Sequence, residues 1–124
     1  MANLGERDLQ SLQDLQDSAQ LILNYASGFT EASLAQNKMV QDAIIRRFEI
    51  IGEASARISD PFKAMYPAIP WQVMKSMRNL LIHQYDSVDI PILWKTLEKD
   101  IPALIQQVSV ILRALENPDL NCDS

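Results

Sequence analysis

The sequence has little cysteine, histidine or glycine: one Cys, one His and three Gly among 124 residues. Because Cys122 is alone, the chain cannot form an internal disulfide, and its place in the polar tail argues against a cysteine zinc site. So few glycines, with 48% hydrophobic residues and long helical periodicity, favour a soluble all-α domain over a disordered chain.

Long apolar runs are also missing. No stretch approaches the roughly eighteen residues that a membrane span needs, and the N-terminus lacks a basic and then apolar leader. We therefore expect a cytoplasmic protein with no membrane partner. A chain of 124 residues can bury one core, which predicts a single domain over 1–124 with a flexible tail from about 117.

The net charge of −5 argues against broad, sequence-independent nucleic-acid binding, which depends on many cations facing phosphates. The charge is uneven, however. Residues 1–37 carry five acids and one base, whereas residues 46–78 carry six bases and three acids. The middle of the chain could attract a phosphate to one cleft, although ion-paired helix faces give similar counts.

Apolar periodicity predicts four main helices joined by short loops, and hence an antiparallel four- to five-helix bundle. The first helix ends near Gly28, the second covers about 38–59, the third runs from Trp71 to Tyr85, and the fourth starts at a cap on Asp89. Residues 30–36 favour a short helical turn. Small residues around Gly52 would let another helix approach closely.

Prolines mark the remaining boundaries. The segment "DPFKAMYPAIP" is expected to be an irregular but apolar-anchored loop, and Pro70 suits the first turn of the third helix. The last segment is expected to be helical through Lys99. Pro102 then either kinks it or opens a fifth piece that continues to about Glu116.

The only histidine stands in "MRNLLIHQYD", residues 77–86. The step from Asn79 to His83 is about 40° around a helix, so the amide can orient the imidazole. Arg78 and His83 are about 140° apart, so one straight helix does not bring them together. They share a phosphate only if the helix loosens near His83 or a second subunit completes the site.

The pattern R-N-x-x-x-H-x-Y resembles that of the HEPN superfamily and, more narrowly, of HepT-like toxins. The segments "RRFEIIGEASARI", "IPWQVMKSMRNLLIHQYDSVD" and "LWKTLEKDIPAL" resemble segments of that family in the same order. The resemblance implies a HEPN-like bundle, a homodimer and a metal-independent endoribonuclease toxin without a cofactor. Its implied partner is an MntA-type nucleotidyltransferase antitoxin.

By matching position, the resemblance makes Arg78 and His83 catalytic, Asn79 their support, and Tyr85 the tyrosine that the antitoxin modifies with AMP. The residue types suit the reaction. RNA carries its own 2′-hydroxyl nucleophile, so RNA rather than DNA is the expected substrate. Histidine exchanges protons near neutral pH, and arginine binds phosphate oxygens with two parallel hydrogen bonds. The expected product is a 2′,3′-cyclic phosphate.

Plainer interpretations stay open. Without the resemblance, a lone histidine is best taken as a packed or surface residue, Arg78 as an ion-pair partner and Tyr85 as a core edge. Glu53 is interpreted either as a buried group near the motif helix or as the partner of Arg57. The main rival function is a non-catalytic HEPN-like module that docks a nucleotidyltransferase. Trp71, Met74, Met77 and Leu81 are predicted as core or dimer contacts.

Overall fold

The computed structural model describes residues 2–81 and 88–116, with the backbone alone at 2–5, 78, 80 and 116. Every element in these ranges is helical. The elements are α1 (Ala2–Ala26), α2 (Glu31–Ala35), α3 (Lys38–Arg57), α4 (Asp60–Met65), α5 (Trp71–Leu81), α6 (Ile90–Lys95), a π-helical turn (Thr96–Asp100) and α7 (Ile101–Glu116). No helix of the described ranges is long and apolar enough to cross a membrane.

Polar caps fix where the helices begin. Side chains of Thr30, Asn37, Ser59 and Asp89 each accept a hydrogen bond from a backbone N–H in the first turn of α2, α3, α4 and α6, respectively. These bonds satisfy donors that a helix start leaves unpaired. Gly28 follows α1 with φ of 84°, a conformation that favours glycine after a helix.

Three long-range contacts show how the main helices run. Asp14 in α1 meets Arg57 at the end of α3, and the carboxylate of Asp8 accepts from Ser59 just beyond it. The start of α1 therefore lies beside the end of α3, so the two helices are antiparallel. In α7, Ile105 accepts through its carbonyl from the side chain of Gln16 at 3.1 Å. These contacts confirm the predicted all-α bundle.

The core follows the apolar periodicity predicted from the sequence. Leu12, Leu15, Ala19 and Ile22 of α1 are fully buried, as are Ile44 and Phe48 of α3 to within 1%. The set Trp71, Met74, Met77 and Leu81 is buried as well, which confirms that this face of α5 packs inward. The core thus holds α5 by one face and leaves its opposite face at the surface.

The segment from Asp60 to Pro70 differs from the prediction. Its first half is the regular helix α4, not an irregular loop. Ser59 caps this helix and Pro61 stands in its first turn, where the missing N–H costs nothing. Pro70 lies one residue before α5 and accepts through its carbonyl from Met74 at 3.0 Å.

The expected irregularity near Pro102 is present as a π-helical turn. The α-helical part ends at Lys95, earlier than the predicted Lys99, and residues 96–100 form the wider turn before α7. Proline lacks an N–H and its ring clashes with the carbonyl four residues earlier in an α-helix. A wider turn ahead of Pro102 accommodates that ring without ending the helical path.

Candidate functional site

The motif predicted from sequence lies only partly within the described residues. Asn79 is an exposed residue of α5, and Arg78 is described by its backbone in the same helix. His83 and Tyr85, and with them the predicted helix end at Tyr85, lie outside the described residues. The convergence of Arg78 with His83 therefore stays a prediction.

Helix α5 is fixed firmly just before Arg78. A Cβ atom added to Gly52 of α3 would lie 3.5 Å from the carbonyl oxygens of Met74 and Lys75. The Ser55 hydroxyl is 3.5 Å from the Trp71 carbonyl oxygen, and the Trp71 indole N–H donates to the Tyr66 carbonyl at 3.1 Å. The small residues of α3 do permit the predicted close approach, and they set the position of the motif helix.

The chain is also fixed on both sides of residues 82–87. The backbone N–H of Asp89 donates to the carbonyl of Leu81 at 2.8 Å. The Asp89 carboxylate accepts from the N–H of Ile92 at 3.1 Å and so caps α6, which confirms the predicted cap. Leu81 and Asp89, which flank the segment that contains His83 and Tyr85, therefore lie side by side.

A polar groove runs between α3 and α5 beside Asn79. Its volume is about 360 Å³, and it is lined by Phe48, Glu49, Gly52, Glu53, Lys75 and Asn79. We call this set the α3–α5 groove. The antiparallel packing explains it, because residues one turn before Gly52 face residues one turn after Lys75.

The groove contains both signs of charge. Arg46 places Nη1 3.3 Å from Glu49 Oε1 and 3.8 Å from Glu53 Oε2. Glu53 keeps 58% of its side chain exposed, so its interpretation as a buried group is wrong. Its proposed pairing with Arg57 is also wrong, because Arg57 instead meets Asp14 at 3.4 Å.

Sequence reasoning did not identify this groove. Lys75 was counted only as one of six bases, and Glu53 was considered either as a buried group near the motif helix or as the partner of Arg57. The signal was Gly52: a glycine inside a helix often marks close approach of another backbone. If α3 and α5 had been aligned antiparallel through Gly52, the sequence would have placed Glu53 opposite Lys75 and Asn79.

No three His, Cys, Asp or Glu side chains within the described ranges cluster to hold a metal.

Comparison with known proteins identifies the family of this chain. The family model "HepT-like: Ribonuclease HepT-like" matches residues 15–111. This chain belongs to the HepT-like family. The match includes α3, α5 and the whole motif from Arg78 to Tyr85, so the resemblance stated from those residues is confirmed.

Three relatives match between 75% and 87% of this chain. "Putative RNase MJ1380" of Methanocaldococcus jannaschii is 35% identical over 87% of this chain and 100% of its own length. "Probable ribonuclease HepT" of Thermococcus cleftensis is 43% identical over 75% of this chain and 84% of its own length. "Putative RNase TTE0752" of Caldanaerobacter subterraneus subsp. tengcongensis is 30% identical over 82% of this chain and 91% of its own length. No solved structure matches significantly.

Proposed function

We propose that this protein is a metal-independent endoribonuclease and the toxin of a two-component system. Arg78 and His83 are its catalytic residues, and Asn79 supports His83. The observation that carries the proposal is the family match over residues 15–111, which spans the complete R-N-x-x-x-H-x-Y pattern. The relatives' names, "Probable ribonuclease HepT" among them, support ribonuclease activity.

The reaction needs a base and an anion-binding group. His83 accepts the proton of an RNA 2′-hydroxyl, and the resulting oxygen attacks the adjacent phosphorus. Arg78 binds the nonbridging phosphate oxygens, on which negative charge grows. The bond to the 5′ oxygen breaks, and a histidinium of the cleft returns a proton to that oxygen. The products carry a 2′,3′-cyclic phosphate and a 5′-hydroxyl.

Two subunits form the proposed cleft. A separation of about 140° between Arg78 and His83 on one straight helix is too large for a shared phosphate. A homodimer with the two motif helices facing across a two-fold axis brings Arg78 of one protomer toward His83 of the other.

Tyr85 is the proposed control point. An MntA-type nucleotidyltransferase would join the Tyr85 oxygen to the α-phosphorus of ATP and release pyrophosphate. The attached AMP brings bulk and a negative charge two residues from His83, so it would obstruct the cleft and repel RNA phosphates. This provides neutralisation by covalent modification.

The test in cells is growth after induced expression. Wild-type protein should arrest growth unless the antitoxin is co-expressed, and His83→Ala should relieve the arrest because the base is lost. Tyr85→Phe should still arrest growth, and the antitoxin should no longer protect. Loss of toxicity in Tyr85→Phe would instead assign the hydroxyl to catalysis.

One observation favours a rival, the binding module that docks a nucleotidyltransferase without cutting RNA. The net charge of −5 is unusual for a protein that holds a polyanion. For such a module, wild-type and His83→Ala proteins would both be harmless at equal expression, while still binding the nucleotidyltransferase.

A further inference from the structure

Two polar groups of the α3–α5 groove, Glu53 and Lys75, have no role in the proposed reaction. Lys75 makes no side-chain hydrogen bond or ion pair in the part of the chain that the structure describes. Glu53 forms an ion pair with Arg46 at 3.8 Å, a separation too long for a hydrogen bond. A carboxylate and an ammonium thus line one groove with hydrogen-bonding capacity that the protein does not use.

The volume of the groove admits a small ligand. Its volume of about 360 Å³ falls within the usual range for small-ligand sites, about 300–1,000 Å³. Gly52 contributes no side chain to it, and Phe48, which also lines it, is only 1% exposed. Larger residues at position 52 would occupy this space.

The charges of the groove argue against a second phosphate there. Glu49 and Glu53 line the same space as Lys75, and a carboxylate has no proton to donate at neutral pH, so it repels a phosphate. Neutral groups with N–H donors are accepted instead. RNA offers such groups on the Watson–Crick edges of unpaired bases.

Among the four bases, guanine matches these groups best. Its Watson–Crick edge presents two adjacent donors, N1–H and the 2-amino group, followed by the O6 acceptor. A carboxylate can accept both donors at once, while an ammonium N–H donates to O6. Adenine, cytosine and uracil lack two adjacent donors on that edge.

We propose that the α3–α5 groove binds a guanine base of the RNA substrate, with Glu53 accepting from N1–H and N2–H and Lys75 donating to O6. The proposal rests on the proposed function for its substrate, RNA. Because Arg78 follows the groove residue Lys75 by three positions in α5, about one helical turn separates a base in the groove from the residue that holds the phosphate. The groove therefore selects which phosphodiester enters the cleft.

The experiment separates this site from catalysis by measuring binding to RNA that cannot be cut. Five uridine-flanked 2′-O-methyl pentanucleotides carry G, inosine, A, C or U at the centre, and fluorescence anisotropy gives each Kd. Wild-type protein should bind the G oligonucleotide about tenfold tighter than the A oligonucleotide, the order of discrimination of one bidentate contact. Inosine, which lacks the 2-amino group, should fall between them.

Glu53→Gln should reduce the preference for G over A to about twofold or less, since an amide cannot accept both donors. Glu98→Gln is the matched control, because Glu98 is an exposed acid outside the groove, and it should keep the wild-type preference. Circular dichroism shows whether each variant is folded.

Equal affinity of wild-type protein for all five oligonucleotides, or absence of binding to any, overturns the guanine site. A preference that survives in folded Glu53→Gln overturns it as well. Cleavage of the matching unmodified RNAs is scored separately. Guanine preference without cleavage supports the site and contradicts the nuclease, whereas cleavage without any base preference does the reverse.

Discussion

Asp8 illustrates how much a single residue can depend on a distant one. It is only 1% exposed, and its carboxylate accepts from the Ser59 N–H at 2.9 Å and the Ser59 hydroxyl at 2.7 Å. The same hydroxyl accepts from Phe62 and caps α4. Asp8 therefore ties the start of α1 to the start of α4 through two hydrogen bonds to a charged group.

Asp8→Ala is expected to lower the free energy of unfolding by about 2–3 kcal/mol, because it leaves a part-buried N–H of Ser59 without its charged acceptor. Urea denaturation followed by circular dichroism measures the change. Asp14→Ala is the control: Asp14 is 39% exposed and pairs with Arg57, so its loss should cost about 0–1 kcal/mol. Equal losses of unfolding free energy for the two substitutions would mean that the buried hydrogen bonds of Asp8 stabilise the fold no more than the exposed ion pair of Asp14.

Sequence reasoning treated Asp8 only as one of five acids in the first third of the chain. Periodicity reports which apolar residues face inward, but it cannot report a buried acid whose partner lies 51 residues away. The same limit applies to Arg57, whose partner Asp14 is 43 residues distant. Local spacing suggested Glu53 as the partner of Arg57, but the packing of α1 against α3 places Asp14 beside Arg57 instead.

At the scale of elements, the contact of α3 with α5 determines where the motif helix lies. Helices α1, α3 and α7 were predictable from their apolar periodicity. The cap of α6 at Asp89 and the end of α1 near Gly28 were predictable from residue type. Helix α4 was missed because three prolines in eleven residues outweighed a capped first turn. The π-helical turn has no sequence signature beyond Pro102, so only an irregularity was predictable.

Position 52 tests that contact. Gly52→Ala should raise the free energy of unfolding by about 0.5–1 kcal/mol, because alanine favours helix and its Cβ would meet the carbonyls of Met74 and Lys75 at an ordinary 3.5 Å. Gly52→Leu should instead lower it by about 1–3 kcal/mol, because the larger side chain forces α5 away from α3.

Urea denaturation measures both variants of position 52. The opposite signs are the informative result, because a loosely packed surface would accept alanine and leucine alike. Stabilisation by both substitutions would contradict the close approach of the two helices.

For the whole molecule, the central expectation is a dimer with a shared cleft. Light scattering should give twice the chain mass of 14.0 kDa. The sharper test co-expresses Arg78→Ala and His83→Ala chains and purifies the mixed dimer through two different tags. One of the two Arg78–His83 pairs in the shared cleft would stay complete, so about half of wild-type cleavage should return although each variant alone is inactive.

No recovery in a confirmed mixed dimer, with both parent variants inactive, would place Arg78 and His83 in one protomer. A monomeric mass for active protein would contradict the shared cleft altogether.

The family and the bundle were predictable from three sequence segments in order. The cleft was predictable only as a set of residue types, because helical geometry alone separates Arg78 from His83.

The measurement that tests the account most directly is RNA cleavage by purified, unmodified wild-type and His83→Ala proteins in EDTA, with the product ends identified. We expect wild-type protein to cut and leave 2′,3′-cyclic phosphate ends, and the variant to lose at least about 100-fold in rate, the usual contribution of a general base. Products with 3′-hydroxyl ends, undiminished cutting by His83→Ala, or no cutting of several RNAs by wild-type protein would contradict the proposed reaction.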